Sequence, residues 1–464
     1  MVHIKIKRGL DIPIKGLPTG DIQPLIPSGS SVPLTKPKKL ALDLSEFMHH
    51  RFKLLKKEGD TVKIGEPLVY DKQTEGVIFI SPAGGVVTEI TRGHKRAIMD
   101  IVISTAEKEE TIKHEPLDPS SASREAIIRR LKEGGGFSHI RKRPFNTPAN
   151  PDRLPRSIFV KAIETAPFVP PPEMQVEGHE DLFQAGLDIL KKLTDGTVHL
   201  VHKKECDFAP FTRAYHVKHH TAEGPHPAGT LSVHIEQIDP ILHPEDVVWT
   251  LNVHDVLSIA SIVRDGVPFL ERIIGIGGPA AVPDKCGYFK VREGFPVEAL
   301  ISGRLVQHEE VRLISGDPLT GKKVSPEGFL GFNAYSLVMI EEPTTREPLH
   351  FFRLGANKYT YSRAYASGHL DNPKGGYDFT TSLHGERRAF IEPAMYDKVQ
   401  PLNIPTIPLL KAIMAEDYEL AEELGLLEVD PEDFALSTFV CPSKIDMTQI
   451  VRDGQESYMK DVLH

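Results

Sequence analysis

The sequence predicts a multidomain chain that mixes α+β and α/β parts, and three patterns carry that prediction. Short apolar runs broken by glycine turns fill residues 41–104 and return at 285–345, as in small β units. Between them, over 120–280, strand-length apolar runs alternate with segments of helical period, which marks a layered α/β domain. From 375 onward the periodicity is mainly helical.

The elements follow in order. A short strand, His3 to Lys7, opens the chain. The Pro/Ser-rich stretch Leu17 to Pro37 is expected to run extended, as a linker or as an arm packed on another domain. In the β unit that follows, the turns read Glu58-Gly59-Asp60-x-Val62-x-x-Gly65-x-Pro67-Leu68 and Ser81-Pro82-x-x-Gly85-x-Val87. These phrases resemble the biotinyl/lipoyl barrel-sandwich fold. In carriers of that fold a modified lysine sits in a tight hairpin ahead of the proline. That position is Thr74 here, and Lys72 is out of register, so the fold is expected without its prosthetic group. The α/β part predicts helices over Ala122–Glu133, Glu180–Leu193 and Asp255–Arg264. Its strands are Ile158–Ile163, Val198–Val201, Val247–Thr250 and Arg272–Ile276. Further helices are expected over Pro405–Met414, Tyr418–Leu424 and Met447–Tyr458. The expected division is an N-terminal strand and extended arm (1–40), a barrel-sandwich domain (41–110), a Rossmann-like α/β domain (111–280) and a β-rich domain (281–350). A connecting segment with a helical domain (351–464) completes it.

Composition narrows the function. Acidic residues outnumber basic ones, 64 to 55, for a net charge of −9. A nucleic-acid binder needs a basic face to displace counterions from phosphates, so none is expected. Cys206, Cys286 and Cys441 share no metal spacing and are too few for a disulfide framework, which favours a reducing compartment. The N-terminus has no apolar core of a signal peptide, and no apolar run is long enough to span a bilayer.

Several motifs invite chemistry. Gly275-Ile276-Gly277-Gly278-Pro279-Ala280 fits the dinucleotide pattern, but that fingerprint must open a helix. Prolines and a strand-like run follow instead, so a glycine turn is expected. Gly316 to Lys323 resembles a P-loop, yet Lys323 stands where a magnesium-binding hydroxyl is required. His216, His219, His220, His226 and His234 are dense but lack a zinc-ligand pattern. The most informative segment is Pro431 to Pro442. Laid on the ferredoxin run C-x-x-C-x-x-C-x-x-x-C-P, its thiolate positions are Pro431, Phe434, Ser437 and Cys441. Three of the four ligands are missing, so no cluster is expected to bind.

At this point a whole-chain resemblance emerges. The order of parts resembles the NADH-binding subunit of respiratory complex I and the C subunit of the Rnf complex. The chain is most similar to the NqrA family, the A subunits of sodium-translocating NADH:quinone reductases. The match rests on Arg8-Gly9-Leu10-Asp11-x-Pro13-x-x-Gly16, Arg92-Gly93-x-Lys95-Arg96-Ala97, Arg141-x-Arg143-Pro144-Phe145 and Gly224-Pro225-x-Pro227-x-Gly229. It continues through Ile314-Ser315-Gly316-Asp317-Pro318-Leu319-Thr320-Gly321, Leu354-Gly355-x-Asn357-Lys358 and Glu432-Asp433-x-Ala435-Leu436-x-Thr438-Phe439-Val440-Cys441-Pro442.

The resemblance implies that residues 281–350 form a ubiquitin-like, soluble-ligand-binding β domain and that the C-terminal domain is a degenerate iron–sulfur domain. It implies a peripheral protein on the cytoplasmic side of a bacterial inner membrane, docked on the B to F partners of the complex, chiefly the membrane-embedded B subunit. The complex would couple NADH oxidation and ubiquinone reduction to sodium export. Flavins and a two-iron cluster would sit on other subunits, and this chain would be structural or quinone-associated. In flavin-binding relatives a G-x-G-G-A-G-F-P loop cradles the FMN phosphate, and only Gly134-Gly135-Gly136-Phe137 remains of it here. The alternative is a complex-I-like or Rnf-like flavoprotein dehydrogenase subunit. A charged turn, His384, Arg387 and Arg388, is a candidate docking loop because exposed arginine pairs with acidic groups. No catalytic or metal-ligating residue stands out.

Overall fold

The computed structural model describes residues 1–461 apart from 27–28, 31–33, 35, 48–49, 307–309, 346 and 350–351. Part of the expected extended stretch Leu17–Pro37 lies outside the described residues.

The first β unit is a sandwich of a four-stranded and a three-stranded sheet among the described residues. The former runs Lys39–Asp43, Ile98–Thr105, Gly85–Arg92 and Thr61–Val62; the latter runs Phe52–Leu54, Pro67–Asp71 and Ile78–Ile80. Alternation of apolar and polar residues buries Leu40, Leu42, Val62, Leu68, Phe79, Val87, Ile101 and Ile103 between the sheets. Phe47, Phe52 and Phe79 meet edge to face at 4.7–6.3 Å.

The α/β unit is built on a seven-stranded sheet. Its parallel core runs His3–Lys5, Lys218–Glu223, Thr197–Lys203, Ser157–Ala162 and Val248–Asn252, with Arg141–Arg143 and Thr147–Pro148 added antiparallel. Strands Ser157–Ala162 and Thr197–Lys203 are almost wholly buried, as parallel strands covered on both faces must be. Helix Arg124–Gly134 starts at Ser123, whose side chain accepts from the Ala126 N–H, and stops at Gly135 in the left-handed region. Helix Val253–Ala260 begins two residues before the expected Asp255, because Asn252 and Asp255 form a reciprocal capping box.

One expectation fails. The expected place of strand Glu271–Gly277 is the α/β domain, but it joins the second β unit. It pairs antiparallel with Gly287–Arg292 and parallel with Ser336–Glu341. The resulting six-stranded sheet runs Lys322–Val324, Val311–Ser315, Ser336–Glu341, Glu271–Gly277, Gly287–Arg292 and Ile22–Gln23. A strand after a helix looks alike in sequence whichever sheet receives it. The deciding contact is its hairpin with 287–292.

The C-terminal region holds helices Thr406–Met414, Tyr418–Glu423, Ala435–Val440 and Met447–Asp461, with a 3-10 turn at Pro431–Phe434. Phe434, Leu426, Val429, Val451 and Tyr458 form its core and join the face of the α/β sheet that carries Phe159 and Val201.

Candidate functional site

A buried ionic cluster lies where the C-terminal domain meets the α/β sheet. Strand Arg141–Arg143 places Arg143 at 2 % exposure. Both its terminal nitrogens donate to Ser232 Oγ at 3.0 Å, and one reaches the Glu428 carbonyl at 3.3 Å. Asp430 lies 3.6 Å from the same guanidinium. The Asp430 N–H donates to Asp433 Oδ2 at 2.7 Å, so the two carboxylates are fixed by one capped turn. Next to them Lys161, at the end of its strand, pairs with Glu164 at 2.8 Å. Burial opposes both charges, yet their mutual attraction prevails, raising the lysine and lowering the glutamate.

Negative charge exceeds positive charge in this cluster, and the carboxylates show it. Burial, reinforced by nearby Asp430 against the pull of Arg143, raises Asp433 to about 7. Burial and Asp430 raise Glu432 to about 8. The junction therefore holds protons near neutral pH and locks two domains together.

A cavity of about 190 Å³ opens near the N-terminal arm, lined by Leu10, Tyr359, Tyr361, Arg363, Asn372 and Tyr377 among others. Tyr359 is packed against Tyr377, Phe379 and Phe439 at 5.4–5.9 Å between rings. Phenol, guanidinium and amide groups thus share one open cavity beside a cluster of aromatic rings. No sequence motif announces this site, because its residues join through the bridge of Ile14 to Tyr377.

The anticipated cofactor positions do not fit their groups. Pro431, Phe434, Ser437 and Cys441 do fall on consecutive turns, but only Cys441 is a thiol. Its sulfur lies 3.2 Å from the Tyr396 hydroxyl and accepts from the Ile445 N–H at 3.4 Å. Phe434 and Ser437 are fully buried, so the space of a cluster is filled by side chains. Thr74 lies in the turn between Pro67–Asp71 and Ile78–Ile80. That tip is docked rather than free: a Cβ at Gly76 would lie 3.0 Å from Lys132. Gly134-Gly135-Gly136 ends the helix Arg124–Gly134 and passes at Gly135 straight into the 3-10 turn Gly136–His139, so no long helix opens there to hold an anion. Ile262, Ile80 and Leu131 would lie within 2.4–2.8 Å of a Cβ at those three glycines.

Of the two other tempting glycine motifs, the first is the end of strand Glu271–Gly277 and turns only from Gly278, and the second is a hairpin turn. In the first, Gly275, Gly277 and Gly278 let the Phe168, Gly16 and Met339 carbonyls approach within 1.9–2.2 Å of where a Cβ would stand. In the second, Asp317 accepts from the Leu319 and Thr320 N–H groups inside the hairpin of Val311–Ser315 and Lys322–Val324.

Known proteins share this order of domains. Residues 4–106 match the NqrA N-terminal barrel-sandwich hybrid domain, 122–267 the NqrA second alpha/beta domain, and 273–325 the NQRA C-terminal domain. The A subunit of the Na(+)-translocating NADH-quinone reductase of Chlamydia caviae is 35% identical, covering 99% of this chain and 97% of its own. The chain belongs to the NqrA family. The Chlamydia pneumoniae and Vibrio atlanticus proteins of the same name are each 34% identical, covering 99% of this chain and 98% and 100% of theirs. Among solved structures, an NAD+-reducing [NiFe]-hydrogenase chain has a TM-score of 0.37 at 13% identity, over 76% of this chain and 67% of its own. That likeness is too distant to bear on function.

The five histidines of 216–234 do not converge. His220 Nε2 meets His199 Nδ1 at 3.0 Å, His226 meets Thr165, His234 meets the Ala228 carbonyl, His219 the Ala214 carbonyl and His216 Asp188. Among the described residues no group of His, Cys, Asp and Glu is arranged to hold a metal ion. His384, Arg387 and Arg388 lie on one exposed turn. Arg388 donates through its backbone to Ser443 and through its side chain to the Pro442 carbonyl, which ties this turn to the end of the degenerate motif.

Proposed function

We propose that this chain is the A subunit of a sodium-translocating NADH-quinone reductase. In this reading it is held at the cytoplasmic face of the bacterial inner membrane by the other subunits, chiefly the membrane-embedded B subunit. The observation that carries the reading is the match along 99% of the chain to relatives of that name, with its domain models in the same order. No helix among the described residues is long and apolar enough to cross a membrane, which agrees with attachment through partners. The activity belongs to the complex. Removing this chain is expected to abolish sodium-dependent NADH:quinone turnover, and adding the purified chain back is expected to restore it.

Within the complex the chain is structural or quinone-associated, with flavins and a two-iron cluster on other subunits. The donor sets support this: a single buried thiol at the degenerate motif, a glycine segment packed against Ile262, Ile80 and Leu131, and Thr74 in place of a carrier lysine. The purified chain is expected to show no visible absorbance and no flavin or iron. A stoichiometric flavin or iron–sulfur spectrum would overturn this part of the reading. If the chain takes quinone, the Tyr359, Tyr361 and Tyr377 cavity supplies donors for its two carbonyls. Tyr361→Phe with Arg363→Gln is then expected to weaken binding of a water-soluble quinone about tenfold or more, as loss of two hydrogen bonds does.

A further inference from the structure

The described residues between 347 and 391 form a lobe with little regular structure, organised by its own contacts. Glu347 pairs with Arg353 at 2.6 Å and with Lys358. The Phe352 N–H donates to the Leu349 carbonyl at 3.0 Å, and the Ala366 N–H to the Leu354 carbonyl at 2.8 Å. The rings of Tyr365 and His384 meet at 6.2 Å.

Two features set this lobe apart. Leu349, Phe352, Leu354 and Leu383 are 66–85 % exposed, although large apolar side chains lose free energy in water. Charge is reversed as well. Residues 347–391 carry six Lys and Arg against four Asp and Glu, a net of +2 in a chain of net −9. Lys374 and Arg387 are exposed on the same lobe.

We propose that this lobe seats the chain directly on an anionic lipid surface. The leucine and phenylalanine side chains enter the headgroup layer, and Lys374 and Arg387 face the phosphates. The exposed apolar side chains gather in one segment beside exposed basic residues, so contact with a headgroup layer would combine apolar burial with attraction to anionic lipid. The local positive charge is complementary to anionic headgroups. The inference rests on the reading of the chain as part of a sodium-translocating enzyme, because translocation requires a bilayer at hand.

The test is cosedimentation of the purified full-length chain with phosphatidylethanolamine/phosphatidylglycerol vesicles and with phosphatidylcholine vesicles. Binding is expected to the anionic vesicles only and to weaken with salt. Lys374→Gln with Arg387→Gln is expected to lower the partition coefficient about 25-fold, at about fivefold per charge. Phe352→Asp with Leu354→Asp is expected to abolish binding. Leu242→Asp, at another exposed leucine (67 %), is expected to change nothing. All the substituted side chains are exposed, and unchanged melting temperatures would show that the variants fold.

Absence of wild-type binding to anionic vesicles overturns the proposal, as does binding untouched by both lobe variants. If vesicles are not bound but the lobe variants fall away from the detergent-purified complex, the surface takes another protein and the lipid proposal fails. A chain that never copurifies with other subunits overturns the family-based reading, and the vesicle result distinguishes the two failures.

Discussion

Arg143 is the residue on which the two-domain junction turns. It faces Asp430 and Asp433 from a site with 2 % exposure, and its planar donors are divided between Ser232 and the Glu428 carbonyl. Arg143→Met leaves the carboxylates without a counter-charge and is expected to cost about 3–5 kcal/mol in urea unfolding, the usual loss when one partner of a buried pair is removed. Arg143→Lys should recover little, because an ammonium cannot reproduce the fork.

The neighbouring acid gives the protein an alkaline limit. Asp433 keeps its proton to about pH 7 in the fold, whereas an unfolded aspartate releases it near about 4. The unfolded chain thus ionises first, and stability falls as pH rises from about 4 to about 7. Asp433→Asn should flatten that slope and raise the melting temperature at pH 8 by several degrees. Buried histidines act in the opposite direction. Burial lowers His199 to about 4, His220 to about 3 and His234 to about 4. Unfolded histidines take up protons near about 6.5, so stability falls again as pH drops from about 6.5 to 4. Melting temperature against pH should therefore peak in mildly acidic buffer, and the triple His→Gln variant should show a shallower acid limb if it folds, the rest being left by buried His226 and His254. Little of this is legible in the sequence. The spacing around Asp430, Glu432 and Asp433 draws attention to missing thiolates, and the carboxylates acquire meaning only once Arg143 is brought against them.

At the scale of elements, periodicity is a sound guide to what forms and a poor guide to where it goes. The helices over 180–192, 406–414 and 447–461 follow from their apolar spacing. The parallel strands follow from continuous β-branched runs. Strand Glu271–Gly277 misleads because its sheet is chosen by a partner that follows it in the chain. The turn after it is sensitive to substitution. Gly278 has φ +122°, and a Cβ there would stand 2.2 Å from the Met339 carbonyl oxygen. Gly278→Ala must shift the strand Ser336–Glu341 as well as adopt a strained backbone, and a loss of more than about 2 kcal/mol is expected. Hydrogen exchange should show the damage first in 271–292 and 336–341, with the barrel-sandwich unit protected as before.

At the scale of the whole molecule, the N-terminal arm binds the units into one body. Its strand His3–Lys5 extends the seven-stranded sheet, Ile14 bridges to Tyr377, and Ile22–Gln23 extends the six-stranded sheet. The Gly9 N–H reaches the Lys398 carbonyl at 3.0 Å. Deleting residues 2–23 should lower the melting temperature and broaden the calorimetric transition, since the contacts made by the arm go while each core and the Arg143 junction remain. Prolines and glycines mark this stretch as an arm in the sequence, but the three surfaces it joins are far away in the chain and leave no local trace.

That arm also sets a schedule for biosynthesis. The Val2 N–H binds His220, 218 residues later, and Lys15 pairs with Asp378, 363 residues later. At ribosomal speeds of roughly 5–20 residues per second, the arm waits on the order of ten to forty seconds for its first strand partner and longer for its last. When Lys218–Glu223 and Gly287–Arg292 do emerge, each is a sheet edge whose partner is a segment already finished. A newly made chain is therefore most vulnerable to mispairing before those edges have emerged, while the strands of the arm have no sheet to join. An N-terminal fusion that holds the arm away should produce aggregates even when every domain behind it has folded.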